Sequence, residues 1–327
     1  MTGKLDFQHA IVLTAMLTAA MPSMAQNYPS KPVRVLVPSS PGGASDIQAR
    51  LFSSKLSEGL KQSFVVENRA GAGGRIAYSL VAHQAPKDGY TLVTCVTGMT
   101  TAQAIDEKPA YDAVKDFDPI VLMTKAPYAV VVHPKFPANS MKEFIAYARA
   151  NPGKINFANS NLGAATQFAY AWLEDGAGIK MTLIQYKGVG PATQDLIAGR
   201  VDMLFANVIS AGPHIKSGRI RALAVTTAER SSALPDLPTM QELGIKDYEV
   251  TPWHGWMGPK GMSRAALNVL NSELNKVLKL ADVIKVISDD GGSAIGGSPQ
   301  VFSKHIASEI ERYTRLAKIG NIKGEED

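Results

Sequence analysis

The 327-residue chain contains a single cysteine, Cys95, which excludes an internal disulfide and any multi-cysteine metal site. Packing alone must hold the fold, and Cys95, set in an apolar run, is expected to be a small buried hydrophobe. No stretch approaches the roughly 18 consecutive apolar residues that a membrane helix needs. Lysine and arginine form no cluster with interleaved aromatics, so nucleic-acid binding has no support. His83, His133, His214, His254 and His305 are scattered without metal-ligand spacing or a neighbouring nucleophile motif, and each is expected to be structural. The glycine-rich run from Gly71 to Arg75 lacks the Gly-Lys-Ser/Thr ending of a phosphate loop and reads as a turn before a helix. No metal and no cofactor is expected.

What is present begins with an export signature. Lys4 precedes an apolar run from Ala10 to Ala20, and Ser23-Met24-Ala25 offers small residues before a cut at Gln26. Residues 1–25 are therefore expected to be a signal peptide and the mature protein to be periplasmic. A lipid anchor would need a cysteine directly after that cut, where none stands. The remainder is long enough for two domains, and the 45% hydrophobic content of the whole sequence is that of a globular protein. The net charge of +5 is a mild bias that suits an anionic ligand.

Strand-like and helix-like segments alternate almost throughout, the pattern of an α/β architecture with mainly parallel sheets. Strands are expected at 33–37, 63–67, 91–96, 129–133, 154–158, 183–186, 203–205 and 222–226. Helices are expected at 45–60, with Ser45 and Gln48 as a capping box and Ile47, Leu51 and Leu56 on its inner face, and at 140–151, 268–281 and 299–319. Trp253 and Trp256 are expected to share a strand face in the core. Two stretches repeat one plan: VRVLVPSSPGGASDIQARL from Val33 and KINFANSNLGAATQFAYAWL from Lys154 are each strand, small polar loop, helix. Such a loop leaves backbone N–H groups unpaired at the positive end of a helix dipole, which suits an anion. If the two loops face each other from different domains, a ligand can be clamped between them.

The stretches VPSSPGGASDIQAR, VVENRAGAGGRIA, APKDGYTL, VKDFDPIVL, YKGVGPATQDLIAGRVDMLF, GRIRALAVTTAERSSALPDLPTMQELG and WHGWMGPKGMS resemble the Bug family, the Bordetella-uptake-gene receptors associated with tripartite tricarboxylate transporters. The resemblance runs from about Tyr28 to the last helix. It implies a two-domain Venus flytrap of the periplasmic binding protein type, with sheets flanked by helices. The implied division is 26–127 plus 252–327 against 128–251, with crossings near Pro127 and Pro252. It also implies a ligand carboxylate held largely by backbone groups. Carried onto this sequence, the first half-site is Ser39, Ser40, Gly42, Gly43 and Asp46, and the second is Asn159, Asn161, Gly163 and Ala164. Tyr186 is implied to approach the cleft. Thr97 and Asn207 are added because ligands bind beyond the carboxyl ends of parallel strands.

Some positions depart from the family's usual pattern. Ser39 and Ser40 stand where a phenylalanine-containing loop is common, Asn161 where glycine, Ala164 where serine and Gln167 where histidine is common. Asp46 is balanced between a ligand contact and a carboxylate that complements the helix dipole. The resulting expectation is a non-catalytic, monomeric receptor for a small organic carboxylate, a dicarboxylate or an aromatic acid. It would deliver that ligand to membrane transporter subunits, with a carboxylate sensor feeding a signalling system, or a secreted α/β enzyme, as the alternatives.

Overall fold

The computed structural model describes residues 28–42, 44–160, 163–186, 189–289 and 291–324, with Ile209 described by its backbone alone. The expected signal segment, Gly43 and Asn161 lie outside the described residues.

Two sheets organise the chain. Numbered in chain order, β1 (Val33–Val37), β2 (Phe64–Asn68), β3 (Thr91–Val96), β4 (Phe117–Lys125), β10 (Trp253–Pro259) and β11 (Ser293–Ala294) form the first, in the order β11-β4-β10-β3-β1-β2. The second comprises β5 (Tyr128–Val132), β6 (Asn156–Asn159), β7 (Thr182–Gln185), β8 (Met203–Asn207) and β9 (Arg221–Val225), in the order β7-β6-β8-β5-β9. The helices are α1 (Ala44–Leu60), α2 (Arg75–His83), α3 (Thr97–Ile105), α4 (Met141–Ala150), α5 (Ala165–Ala177), α6 (Val189–Ile197), α7 (Val208–Lys216), α8 (Arg264–Val277), α9 (Ala281–Asp289) and α10 (Pro299–Gly320).

Parallel pairing holds inside the strand–helix–strand units: β1 pairs with β2 and β3, and β6 with β7 and β8. By contrast, β5 and β10 enter from the other sheet without a crossover helix and pair antiparallel with their neighbours. Both sheets are therefore mixed. The unbroken burial of Thr91 to Cys95 and of Ala129 to Val132 is what strands covered on both faces require.

The cores follow from these layers. Phe52, Leu56, Trp256 and Leu270 cluster on one face of the first sheet, and Tyr78, Trp253, Met257 and Phe302 on the other. The two tryptophans are three residues apart on β10, so they lie on opposite strand faces and not on the shared face expected. Ile47 is likewise 54% exposed, because the buried face of α1 runs through Asp46, Ala49, Phe52, Ser53 and Leu56. Helix α10 serves both sheets: Phe302 and Ile306 join the first core, and Tyr313, Leu316 and Ala317 join the second.

Between the sheets the chain passes twice, side by side. The Ala126 amide donates to the Pro252 carbonyl at 2.9 Å, and the Thr226 hydroxyl donates to the Val250 carbonyl at 2.6 Å. Lys125 and Arg312 flank Glu249 at 3.3 and 3.7 Å, and Arg312 also pairs with the buried Glu309, which accepts from Trp253 Nε1 at 3.1 Å.

Candidate functional site

The loop after β1 takes its shape from Asp46. This carboxylate, 3% exposed in the first turn of α1, accepts from the Gly42 amide at 2.9 Å, from Arg50 Nε at 3.0 Å and from Asn68 Nδ2 at 2.9 Å. Asn68, at the end of β2, also donates to the Ser39 carbonyl at 3.0 Å. The Arg50 bond, with those from Gly42 and Asn68, outweighs the cost of burial and lowers the Asp46 pKa to about 2. Both Asp46 oxygens are thus engaged within the protein, and the residue acts as a strut under the loop. Gly42 has φ +83°, a left-handed conformation that a side chain would strain. Ser40 and Gly42 are exposed, while Ser39 Oγ is enclosed without a hydrogen-bond partner among the described residues.

The loop after β6 repeats the device with different chemistry. The Gly163 amide donates to Gln167 Oε1 at 2.8 Å, the same four-residue reach into the following helix that joins Gly42 to Asp46. Asn159, fully buried, donates to Gln185 Oε1 at 3.0 Å and accepts from the Thr166 hydroxyl at 3.1 Å. Gly163 has φ +68°, and a Cβ there would lie 2.8 Å from Cδ1 of Ile105 at the end of α3. The second loop therefore abuts a helix of the first sheet. Ala164 caps α5 with extended backbone and no side-chain bond. A negative strut supports one loop and a neutral strut the other.

The remaining expected residues divide. Thr97 Oγ1 accepts the Trp253 amide at 2.9 Å and lies 3.4 Å from the Thr251 carbonyl, so its hydroxyl ties α3 to the second crossing. Tyr186 donates its hydroxyl to Asp195 at 2.8 Å, within an ion pair to Arg200 at 2.7 Å, and burial and that carboxylate raise its pKa. Asn207 stands at the start of α7 with its side chain unbonded among the described residues. Sequence reasoning missed the polar set Gln48, Thr124 and His254. Gln48 does not close a capping box with Ser45; it accepts from the Thr124 hydroxyl at 3.1 Å, and Thr124 Oγ1 lies 3.3 Å from His254 Nδ1. The missing signal was the pairing of β10 with β4, which brings Thr124 and His254 together across 130 positions of the chain.

A concavity of about 610 Å³ lies between α3 and the end of α10, lined by Arg75, Ile105, Asp106, Lys108 and Lys318, and Ile105 separates it from Gly163 of the second loop. Its Arg75 and Asp106 pair with each other at 2.6 Å. Cys95 is buried, and desolvation raises its pKa well above the usual thiol value, so it carries no thiolate at neutral pH. The Thr124 hydroxyl gives its proton to Gln48, which leaves His254 unsuited to activating it as a nucleophile.

The arrangement offers hydroxyls, amides and helix N-termini for recognising a charged oxygen ligand. BugT of Bordetella pertussis is 34% identical over 301 residues, covering 91% of this chain and 92% of that protein. R. palustris Rpa4515, solved with adipate, superposes with a TM-score of 0.80 at 34% identity, over 91% of this chain and 99% of that one. MatC of Rhodopseudomonas palustris, solved with bound malate, gives a TM-score of 0.75 at 30% identity over 88% and 99%. Residues 48–322 match the family described as the tripartite tricarboxylate transporter family receptor, and the chain belongs to that family.

Proposed function

We propose that this chain is a periplasmic, non-catalytic and monomeric solute-binding receptor that captures a small organic carboxylate, a dicarboxylate or an aromatic acid, and delivers it to a membrane transporter. The observation that carries the reading is the matched pair of loops, each with a positive-φ glycine whose amide is held by a side chain four residues later, in the first turn of the next helix. A loop held in this way keeps its other polar groups in place before a ligand arrives, so little ordering entropy is lost on binding. Adipate in Rpa4515 and malate in MatC support a carboxylate ligand here.

In this reading residues 26–127 with 252–327 form one domain and 128–251 the other, hinged where Ala126 meets Pro252. Ser39, Ser40, Gly42 and Gly43 meet the ligand from one side, and Asn159, Asn161, Gly163 and Ala164 from the other. Asp46 supports the first loop, Thr97 and Tyr186 brace the cleft walls, and Asn207 lies at its rim. Closure is driven by contacts that the ligand makes with both halves at once. Thermal unfolding of the mature protein against mono-, di- and tricarboxylates, aromatic acids and amino acids tests this. A ligand at 100 times its dissociation constant stabilises the folded state by about 2.7 kcal/mol. A selective rise with one carboxylate class supports the receptor, and silence across all acids, or turnover of any of them, refutes it.

A further inference from the structure

His254 is the second residue of β10, at the place where the strand leaves the crossing between the sheets. Because β10 runs antiparallel to β3 and β4, its first residues pair with their last ones: His254 faces Val96 on one side and Thr124 on the other. This is the end of the sheet from which the Ser39–Gly42 loop and Thr97 also emerge. Alternation along the strand puts Trp253 and Met257 into the core under α10, so His254 shares the opposite face with Trp256, towards α1. Gln48, which completes the polar set, stands four residues after Ala44, about 6 Å along the helix axis from the loop.

The proton count in this set is restrictive. A threonine hydroxyl has one proton, and Thr124 donates it to Gln48 Oε1. Its oxygen, 3.3 Å from His254 Nδ1, can then serve only as an acceptor, so Nδ1 carries the imidazole proton. Nε2 is left with a bare lone pair. Nε2 has no hydrogen-bond partner among the described residues, and His254 is only partly buried. Desolvation lowers the His254 pKa to about 4, which keeps the ring neutral at physiological pH.

We propose that His254 is a specificity-determining residue whose Nε2 accepts a hydrogen bond from a hydroxyl group on the bound acid, so that the receptor favours a hydroxylated carboxylate over its unhydroxylated counterpart. The inference rests on the carboxylate reading above, because it needs the acid group placed at the neighbouring loop. An ammonium group is also a donor, but it would require a counter-charge. The nearby carboxylates are already engaged, Asp46 with Arg50, and Glu249 with Lys125 and Arg312. A neutral acceptor alone favours the hydroxyl.

Titration calorimetry of the mature protein with matched pairs tests the proposal: malate against succinate, 3-hydroxybenzoate against benzoate, and aspartate as the ammonium arm. The hydroxylated member of the binding pair is expected to bind roughly tenfold more tightly, which corresponds to one good hydrogen bond to a buried partner. His254→Phe should reduce that ratio to about one while leaving affinity for the unhydroxylated member within about threefold. Thr124→Val, which removes the group that orients the ring, should reduce the ratio partway and serves if the phenylalanine variant does not fold. Equal affinities within the wild-type pairs, a ratio unchanged in both variants, or preference for aspartate overturns the role of His254 and leaves the carboxylate receptor standing. Silence with every acid overturns both.

Discussion

Ser39 and Asp46 sit in one loop and make opposite predictions. Ser39 Oγ is enclosed and unpartnered among the described residues, a configuration that costs free energy in the absence of a ligand. Ser39→Ala should therefore leave the ligand-free melting temperature unchanged or raise it by about 1–3 °C, while reducing the ligand-induced shift. A lower melting temperature with an undiminished ligand shift would show that the hydroxyl belongs to the scaffold. Asp46 works the other way. Its alanine variant leaves the Gly42 amide, Arg50 and Asn68 without their common acceptor, and a loss of about 1–3 kcal/mol in urea unfolding is expected.

Acid should expose the same residue. Folding lowers the Asp46 pKa from 3.8 to about 2, so the unfolded chain takes up the proton first as pH falls. The stabilisation is fully present above about pH 4 and is lost as pH drops through about 2. Stability followed between pH 5 and pH 2 should fall less steeply in Asp46→Asn than in the natural protein; identical slopes would dismiss the strut. The sequence pointed to this carboxylate but left it between ligand contact and helix-dipole partner. Only the positions of Asn68 and Gly42 around it resolve its local role, and Asn68 is 22 positions away in the chain.

At the scale of elements, local signals located what local physics controls. Ser140 accepts from the Glu143 amide at 3.2 Å, and the Glu143 carboxylate in turn accepts from the Asn139 amide at 2.7 Å, so α4 starts where its cap residues say it should. The 268–281 expectation began four residues late because Ser263, whose hydroxyl caps α8, was overlooked. β4 escaped notice, and β10 showed only in its two tryptophans, because β4 pairs with β10 and β11, and β10 with β3 and β4, across separations that no short window reports. The junction of α3 with the second loop is of the same kind. Gly163→Ala should cost about 1–2 kcal/mol through its positive φ, with Ile105 Cδ1 adding a contact to relieve. Combining it with Ile105→Ala should recover only the contact part; full recovery in urea unfolding would mean that the backbone conformation costs nothing.

For the whole molecule, the decisive feature is α10, which joins the core of the first sheet at one end and that of the second at the other. Arg312 lies between them, 2.8 Å from the buried Glu309 and 3.7 Å from Glu249. Arg312→Ala leaves Glu309, whose pKa desolvation already raises, without its cationic partner. A loss of roughly 2–3 kcal/mol is expected, less than the 3–5 kcal/mol of a fully enclosed pair because the guanidinium is partly exposed. Guanidinium unfolding monitored by tryptophan fluorescence checks it, and a change within 0.5 kcal/mol would mean that water replaces the arginine.

The sequence by itself determined the α/β class, most strands, the repeated strand–loop–helix plan and the family, because each is written in short-range periodicity or in contiguous motifs. The placing of Ser39, Gly42 and Gly163 in two loops after parallel strands, with Asn159 at the strand end before the second, follows from that same plan. What only the tertiary structure decided is which side chains in and around those loops are already engaged. Asp46 is held by Arg50 and Asn68, Thr97 by Trp253, Tyr186 by Asp195, and Gln48 is drawn towards Thr124 and His254. A hydrogen-bonding side chain takes whichever partner the packed layers bring within about 3 Å, and for Thr97 and Thr124 those partners lie 156 and 130 positions away in the chain.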